Sequence, residues 1–164
     1  MTSSLTRRLV KLLQKPIDSE ARDRASLHLL DWLACSVSGR RSSSGEKFAK
    51  YSRDAQEGPN PIIGGKSVAS AETAAFCNGG LGNVLEMDDI HKTAILHPGP
   101  VIIPAALAAA FDRNCSPKEL LDAIVKGYEA TIRLGRSLGS EHYKFWHNTS
   151  SCGAFGASVA VGLR

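Results

Sequence analysis

The sequence predicts an all-α protein, a bundle of about six helices joined by two polar loops. Three observations support this fold class. Only 6% of the 164 residues are aromatic, whereas Ala, Leu, Gly and Val are abundant, which favours closely packed helices over a β-sandwich. Apolar residues recur at helical spacing in most segments. The sequence SPKE at 116–119 combines an N-cap serine, a first-turn proline and a glutamate that can cap in return, so it marks a helix start.

The composition is that of an ordinary globular domain. Hydrophobic residues make up 43% of the chain and charged residues 22%, and the length suits one domain over residues 1–164. The formal net charge is +4, but basic residues are scattered and mostly balanced by nearby acids. The chain has no continuous basic stripe, so the sequence does not predict nucleic-acid binding. The mild positive excess suits an anionic small molecule better.

Cysteine usage and hydropathy indicate a cytoplasmic protein. Cys35, Cys77, Cys115 and Cys152 lie far apart with no C-x-x-C pair, which is typical of thiols in a reducing compartment. Residues 1–13 lack the apolar core of a signal peptide. No apolar run approaches the roughly 20 residues that cross a bilayer. We therefore expect no association with a membrane.

Two helices open the chain. The first covers residues 4–14, with its leucines on one face, and ends before Pro16. The second covers residues 19–38 and ends at Gly39. Its near-continuous apolar second half predicts a central, buried helix, in which Asp31 either faces solvent or has a partner. Exposure of Asp31 is the favoured alternative.

The middle of the chain is less regular. Residues 46–53 predict a short surface helix, and residues 56–66 predict an irregular loop with a brief extended piece at Ile62–Ile63. A helix then begins after Ser67 or Ser70. So many of its residues are Ala or Gly that another element must pack very close to its backbone.

The three remaining predicted helices cover residues 101–112, 117–138 and 152–163. Pro104 is compatible with the first of them because it falls in the first turn. Gly139 ends the second. The chain stops about three turns into the last helix without a C-cap signal, so the sequence predicts a truncated domain.

Most side chains suited to acid–base chemistry fall in the stretch 78–104 and in the polar loop 140–151. In the first, Asp88, Asp89 and His97 precede a Pro-Gly-Pro sequence and a helix start. Carboxylates and imidazoles transfer protons near neutral pH, and the free N–H groups of a helix N-terminus hold anions. The pattern therefore predicts a proton-transfer site with an anion cradle at the helix start.

Simpler interpretations compete at each of these residues. His97 can be satisfied by a nearby carbonyl, and an acidic doublet is often a helix-end cap. His91 and Lys92 suit carboxylate binding and a solvated loop face equally well. The same residues contain possible metal ligands, but no H-x-x-x-H motif or cysteine pair accompanies them, so no metal site is predicted.

Four blocks of the sequence resemble, in order, the N-terminal helical domain of the MmgE/PrpD family. They read LHLLDWLACSVSGR, NGGLGNVLEMDDIHKTAILHPGPVIIPAALAAA, LLDAIVKGYEATIRLGRSLG and FWHNTSSCGAFGASVA. Together they cover almost the whole chain, which makes the resemblance specific. It implies an all-helical domain and a second, lid-like α/β domain that is missing here. The active site would lie between the two domains, usually in a homodimer.

The family includes 2-methylcitrate dehydratase, cis-aconitate decarboxylase and an iminodisuccinate epimerase. These enzymes move a proton next to a carboxylate without a metal or organic cofactor. The resemblance therefore implies a dehydratase-like lyase or isomerase domain that acts on a small di- or tricarboxylate. The alternative is an inactive truncated remnant or a helical dimerisation module.

The resemblance also implies particular site residues. The catalytic set is Asp88, Asp89, His97 and His147, with Asp89 favoured over Asp88. The chemistry of the loop residues, independently of the resemblance, adds an expected substrate-binding set of His91, Lys92, Asn148 and Thr149. The chain has Glu86 and Ile90 where the decarboxylase branch has Asp and Thr, which favours an unassigned member of the family.

Overall fold

The computed structural model describes residues 4–55 and 57–162. Two-residue strands β1 (Asn60–Pro61) and β2 (Val68–Ala69) form a small antiparallel pair. Apart from an isolated bridge between His91 and Leu96, the other regular structure of these residues is helical, so the predicted all-α class is confirmed. The described part of the chain contains seven helices, in line with the predicted bundle of about six and with the seven helical segments given one by one above: α1 (Leu5–Leu13), α2 (Ser19–Gly39), α3 (Ser43–Asp54), α4 (Ala71–Asn83), α5 (Gly99–Arg113), α6 (Pro117–Tyr143) and α7 (Asn148–Gly162).

Side-chain caps explain where several helices begin. The Ala21 N–H donates to Asp18 Oδ1 at 2.8 Å at the start of α2. Ser70, not Ser67, is the N-cap of α4. At α6 the side chains of Ser116 and Glu119 each bond the other's backbone N–H, as the capping box predicts. These starts depend on local hydrogen bonds, and the sequence shows them for that reason.

Two helix boundaries near the second polar loop differ from the prediction. Gly139 does not end α6 but kinks it, because its backbone (φ 69°) adopts a conformation open mainly to glycine, and helical turns resume after it. α7 begins at Asn148, earlier than the predicted Cys152. The predicted loop at 140–151 is therefore reduced to a short turn between α6 and α7.

The predicted extended piece is displaced as well. The strand residues are Asn60–Pro61 and Val68–Ala69 instead of Ile62–Ile63. Ile62 lies inside the turn that connects them, where its N–H donates to Ser67 O at 2.9 Å. The side chain of Ile62 is 2% exposed, so its apolar character reflects burial in the core and not strand pairing.

The main core lies between α2, α5 and α6. Trp32, which is 2% exposed, packs in one cluster with Ile102, Ile103 and Ile124. A side chain at Gly82 would overlap the indole of Trp32, so α4 lies almost backbone-first against α2. The prediction that another element packs close to this small-residue helix is confirmed.

The outer side of the bundle also agrees with the sequence. Asp31 is exposed on α2, as favoured above. Across residues 4–55 and 57–162, every helix is too short or too polar to cross a bilayer.

Candidate active site

An open cleft of about 470 Å³ lies where α3, α4 and the first turns of α5 and α7 meet. His97 and His147 both line it. These histidines come from segments about 50 positions apart in the chain, and the fold brings them to one cavity. The wall also includes the aromatic rings of Phe48 and Phe76, which sequence reasoning did not identify.

Glycines of α4 also line the cleft. A Cβ at Gly79 would stand 2.8 Å from the Pro100 carbonyl oxygen, and one at Gly80 would overlap the ring of Phe48. Larger residues here would separate α4 from α5 or displace Phe48. The glycines therefore set the distance between α4 and its neighbours along the cleft.

His97 is held from its backbone and from its ring. The His97 N–H donates to Thr149 Oγ1 at 3.0 Å, which ties this loop to the first turn of α7. Nδ1 of the ring lies 3.0 Å from Asp88 Oδ2, although the carboxylate is not aligned with the ring as in a regular hydrogen bond. The His97 side chain is 27% exposed, so the ring remains accessible from the cleft.

Asp88 lies beside the His97 ring in the protein interior. The Asp88 side chain is 1% exposed, and both of its oxygens lie 3.3 Å from the amide nitrogen of Asn83. A carboxylate beside Nδ1 favours the tautomer with the proton on Nδ1, which leaves Nε2 free to accept one. Asn83 was not predicted from the sequence.

The turn before His97 is strained. Ile95 has φ 50°, a left-handed conformation that is uncommon for a β-branched residue. Its neighbours Ala94 and Leu96 are 1% and 0% exposed, and the His91 N–H closes the turn by donating to Leu96 O at 2.9 Å. Buried anchors on both sides therefore impose the turn that presents His97, and backbone strain of this kind clusters at functional sites.

Asp89 has a different environment from its neighbour. Its Oδ1 accepts from the Gly99 N–H at 2.9 Å, and its Oδ2 accepts from the Tyr128 hydroxyl at 2.9 Å. Oδ2 also lies 3.4 Å from His28 Nδ1. The start of α5 is thus capped by a carboxylate of the chain itself. The anion cradle predicted at this helix start is filled, and Asp89 does not line the cleft.

Two pKa shifts follow from this cluster. Burial alone would raise the pKa of Asp89, but hydrogen bonds from His28, the Gly99 N–H and Tyr128 outweigh it and hold that pKa below its usual value. Burial raises the pKa of Tyr128, and the charge of Asp89 raises it further. Near neutral pH the pair therefore consists of an ionised Asp89 and a protonated Tyr128.

The depressed pKa of Asp89 predicts acid lability. The carboxylate contributes stability that is fully present above its unfolded pKa, near 3.9, and is lost as pH falls through the lower folded pKa. We expect the free energy of unfolding of the wild type to approach that of Asp89→Asn below about pH 4. Urea unfolding of both proteins over a pH series measures this difference. A difference that stays constant from neutral to acid pH would contradict the expectation.

The other wall of the cleft is the start of α7. His147 is exposed, with its ring centroid 6.2 Å from that of Tyr143. Thr149 lines the cleft beside it, whereas Asn148 is 1% exposed and uses its amide to donate to Ala94 O at 2.7 Å. Asn148 thus positions the His97 loop, and the structure shows no contact of it with the cleft. Trp146, next to His147, is 67% exposed.

Two of the predicted substrate-binding residues lie away from the cleft wall. Nδ1 of His91 accepts from the Ala94 N–H at 3.2 Å, so the ring stabilises the turn in which it lies. Lys92 is exposed. Neither residue lines the cleft. Within residues 4–55 and 57–162, no three His, Cys, Asp or Glu side chains gather as a set of metal ligands.

The fold and site define a helical domain with an open cleft lined by two histidines, one of them backed by a buried aspartate. Residues 3–163 match the model of the MmgE/PrpD N-terminal domain. The chain therefore belongs to the MmgE/PrpD family.

Curated relatives agree with this family. The chain is 30% identical to a cis-aconitate decarboxylase-like protein, oryM, of Aspergillus oryzae, over 98% of this chain and 35% of that protein. It is 27% identical to cis-aconitate decarboxylase of Aspergillus terreus, over 99% of this chain and 35% of that enzyme. The chain thus spans about a third of the length of the relatives it matches.

Proposed function

We propose that this domain forms one wall of an active site that moves a proton next to a carboxylate of a small di- or tricarboxylic acid. The reaction class is that of a dehydratase-like lyase or an isomerase. The observation that supports it is the placement of His97 and His147 on one open cleft, with Asp88 buried behind His97.

In this proposal His97 is the acid–base group. Its Nε2 takes a proton from the carbon next to a carboxylate or returns one to it. Asp88 stabilises the imidazolium in between, and Asn83 keeps Asp88 in place. All of these groups are side chains of the protein, so the proposed proton transfer requires no metal or organic cofactor.

His147 and the first turn of α7 bind the substrate carboxylate. The first N–H groups of a helix have no partner within it, and the helix dipole favours an anion there. Thr149 and Ser150, both in this first turn, line the cleft with His147. The start of α5 is filled by Asp89, so α7 offers the open helix start.

The relatives suggest the kind of acid. Both relatives described above are named for cis-aconitate, an unsaturated tricarboxylate. A cleft of about 470 Å³ has room for an acid of that size. Because the chain spans only 35% of those relatives, we propose that a further domain closes the cleft and supplies the remaining catalytic groups.

Calorimetric titration with citrate and cis-aconitate tests the proposal. We expect the wild type to bind and His147→Ala to weaken binding by roughly tenfold or more, since a hydrogen bond to a charged group contributes about 1.5–3 kcal/mol. His97→Ala should weaken binding less, because a neutral Nε2 has no proton to donate to a carboxylate. His91→Asn is the matched control, because an asparagine oxygen can still accept from the Ala94 N–H. Its affinity should equal that of the wild type.

Two outcomes would contradict this assignment. One is a folded wild type that binds neither acid, which would support a non-catalytic helical module. The other is an equal loss of affinity in His91→Asn, which would place the carboxylate outside the cleft.

A further inference from the structure

The histidine cleft changes from polar to apolar along α4. Phe76 and Asn83 both line it and lie seven residues apart in the helix, which corresponds to about 10 Å. The amide of Asn83 lies 3.3 Å from Asp88, which stands beside His97. Asn83 therefore marks the histidine end of the cleft, and Phe76 lies at the opposite end.

α5 shows the same change along its own length. His97 lies just before the helix, whereas Val101 and Pro104 line the cleft further along it. A Cβ at Gly79 would lie 3.6 Å from Pro104 Cγ, so this proline faces α4. Both helices thus become apolar with increasing distance from the imidazole of His97. A bound acid that extends from the histidines along the cleft therefore meets hydrocarbon surface.

Aromatic rings form the wall at the far end. The ring centroids of Phe48 and Phe76 lie 5.7 Å apart with their planes inclined at 65°, and the ring centroid of Tyr51 lies 5.6 Å from that of Phe76. Phe48 rests on α4 at Gly80, where a Cβ would overlap its ring. Phe76 nevertheless remains 59% exposed. Its neighbours hold this aromatic surface in place before any ligand arrives, so little ordering is needed when a ligand covers it.

Charge in the cleft is confined to the histidine end. Within residues 4–55 and 57–162, the lining contains no Lys, Arg, Asp or Glu, and its ionisable side chains are His97 and His147. A carboxylate placed near Phe76 would lose its hydration without gaining a partner, which is unfavourable. A hydrocarbon group placed there would instead be removed from water, which is favourable.

We propose that the Phe76 end of the cleft binds an alkyl chain of the substrate. The substrate is then a small di- or tricarboxylate with its carboxylates at the histidines and a hydrocarbon substituent that reaches toward Phe76 and Phe48. This inference rests on the proposed function of the cleft, because that function places the carboxylates. A cleft of about 470 Å³ holds both parts of such an acid.

Calorimetric titration with succinate and its methyl, butyl and hexyl derivatives tests the inference. We expect the dissociation constant of the wild type to fall by about two- to fourfold for each added methylene, because each one leaves water for the apolar wall. Phe76→Ala should lose most of this gain. Its affinity for succinate should equal that of the wild type, since succinate is too short to span the roughly 10 Å to Phe76.

Phe155→Ala is the matched control. Phe155 is 61% exposed on α7 and does not line the cleft, so this variant loses an equally exposed ring elsewhere. The gain along the series should persist in it. Equal losses of the gain in both variants, or an affinity that stays constant from succinate to its hexyl derivative, would overturn the inference alone.

The same series tests the function of the cleft separately. His147→Ala should weaken the binding of every member by a similar factor, because each member carries the same carboxylates. Equal affinities of the wild type and His147→Ala throughout the series would contradict the proposed function. Binding of no member would contradict the function and this inference together.

Discussion

We expect Gly156→Ala to lower the free energy of unfolding by about 3 kcal/mol or more. Gly156 lies in α7 where α5 and α6 meet it. A Cβ there would overlap Thr131 Oγ1 and stand 2.6 Å from Ile102 Cδ1 and 2.7 Å from the Gly127 carbonyl oxygen. Thr131 and Ile102 are 0% exposed, and Gly127 contributes backbone, so none of the three can easily move away.

Urea unfolding of Gly156→Ala against Gly162→Ala measures this effect. A Cβ at Gly162, in the same helix, meets nothing within 4 Å. Because alanine favours helix over glycine, Gly162→Ala should be neutral or more stable by up to about 1 kcal/mol. If both variants unfold like the wild type, α7 does not cross α6 as closely as the structure shows.

Asp89→Asn should be nearly as costly, at about 3 kcal/mol at neutral pH. The carboxylate accepts from the Gly99 N–H and from the Tyr128 hydroxyl and faces His28. An asparagine keeps only one acceptor oxygen and turns an amide donor toward one of these donors. Asp54→Asn, at an exposed position on α3, is the control and should change stability by less than about 0.5 kcal/mol.

A double-mutant cycle with Tyr128→Phe shows whether the contact itself carries the effect. Residues that share a hydrogen bond couple, so the two costs should not add. We expect Tyr128→Phe to cost less in the Asp89→Asn background than in the wild type. Strict additivity would mean that the destabilisation of Asp89→Asn arises elsewhere.

Local signals account for the parts of the fold that the sequence predicts. The box at Ser116 and Glu119 and the cap at Asp18 act within one turn, so both are visible in the sequence. The start of α7 at Asn148 is not visible, since Asn148 is fixed by Ala94 O, which lies 54 positions away. In the sequence, the kink at Gly139 cannot be told from a helix end, because glycine is common both at kinks and after the last residue of a helix.

The candidate site also has features that the sequence predicts and features that only the folded structure shows. The resemblance places the histidines at 97 and 147 in one catalytic set, and both line the cleft. The separate environments of Asp88 and Asp89 could not be predicted, because Asn83 and Tyr128, which distinguish them, become neighbours only in the folded bundle. The ring of His91 accepts a hydrogen bond from within its own turn. The prediction that His91 binds substrate considered only the charge it could carry and not this local bond.

The two tryptophans lie in opposite surroundings. Trp32 is 2% exposed in the core, and Trp146 is 67% exposed next to His147. A soluble quencher such as iodide should therefore quench the fluorescence of Trp146 and leave that of Trp32 unchanged. The unmodified chain thus carries two optical reporters, one for the melting of the bundle and one for events beside the cleft.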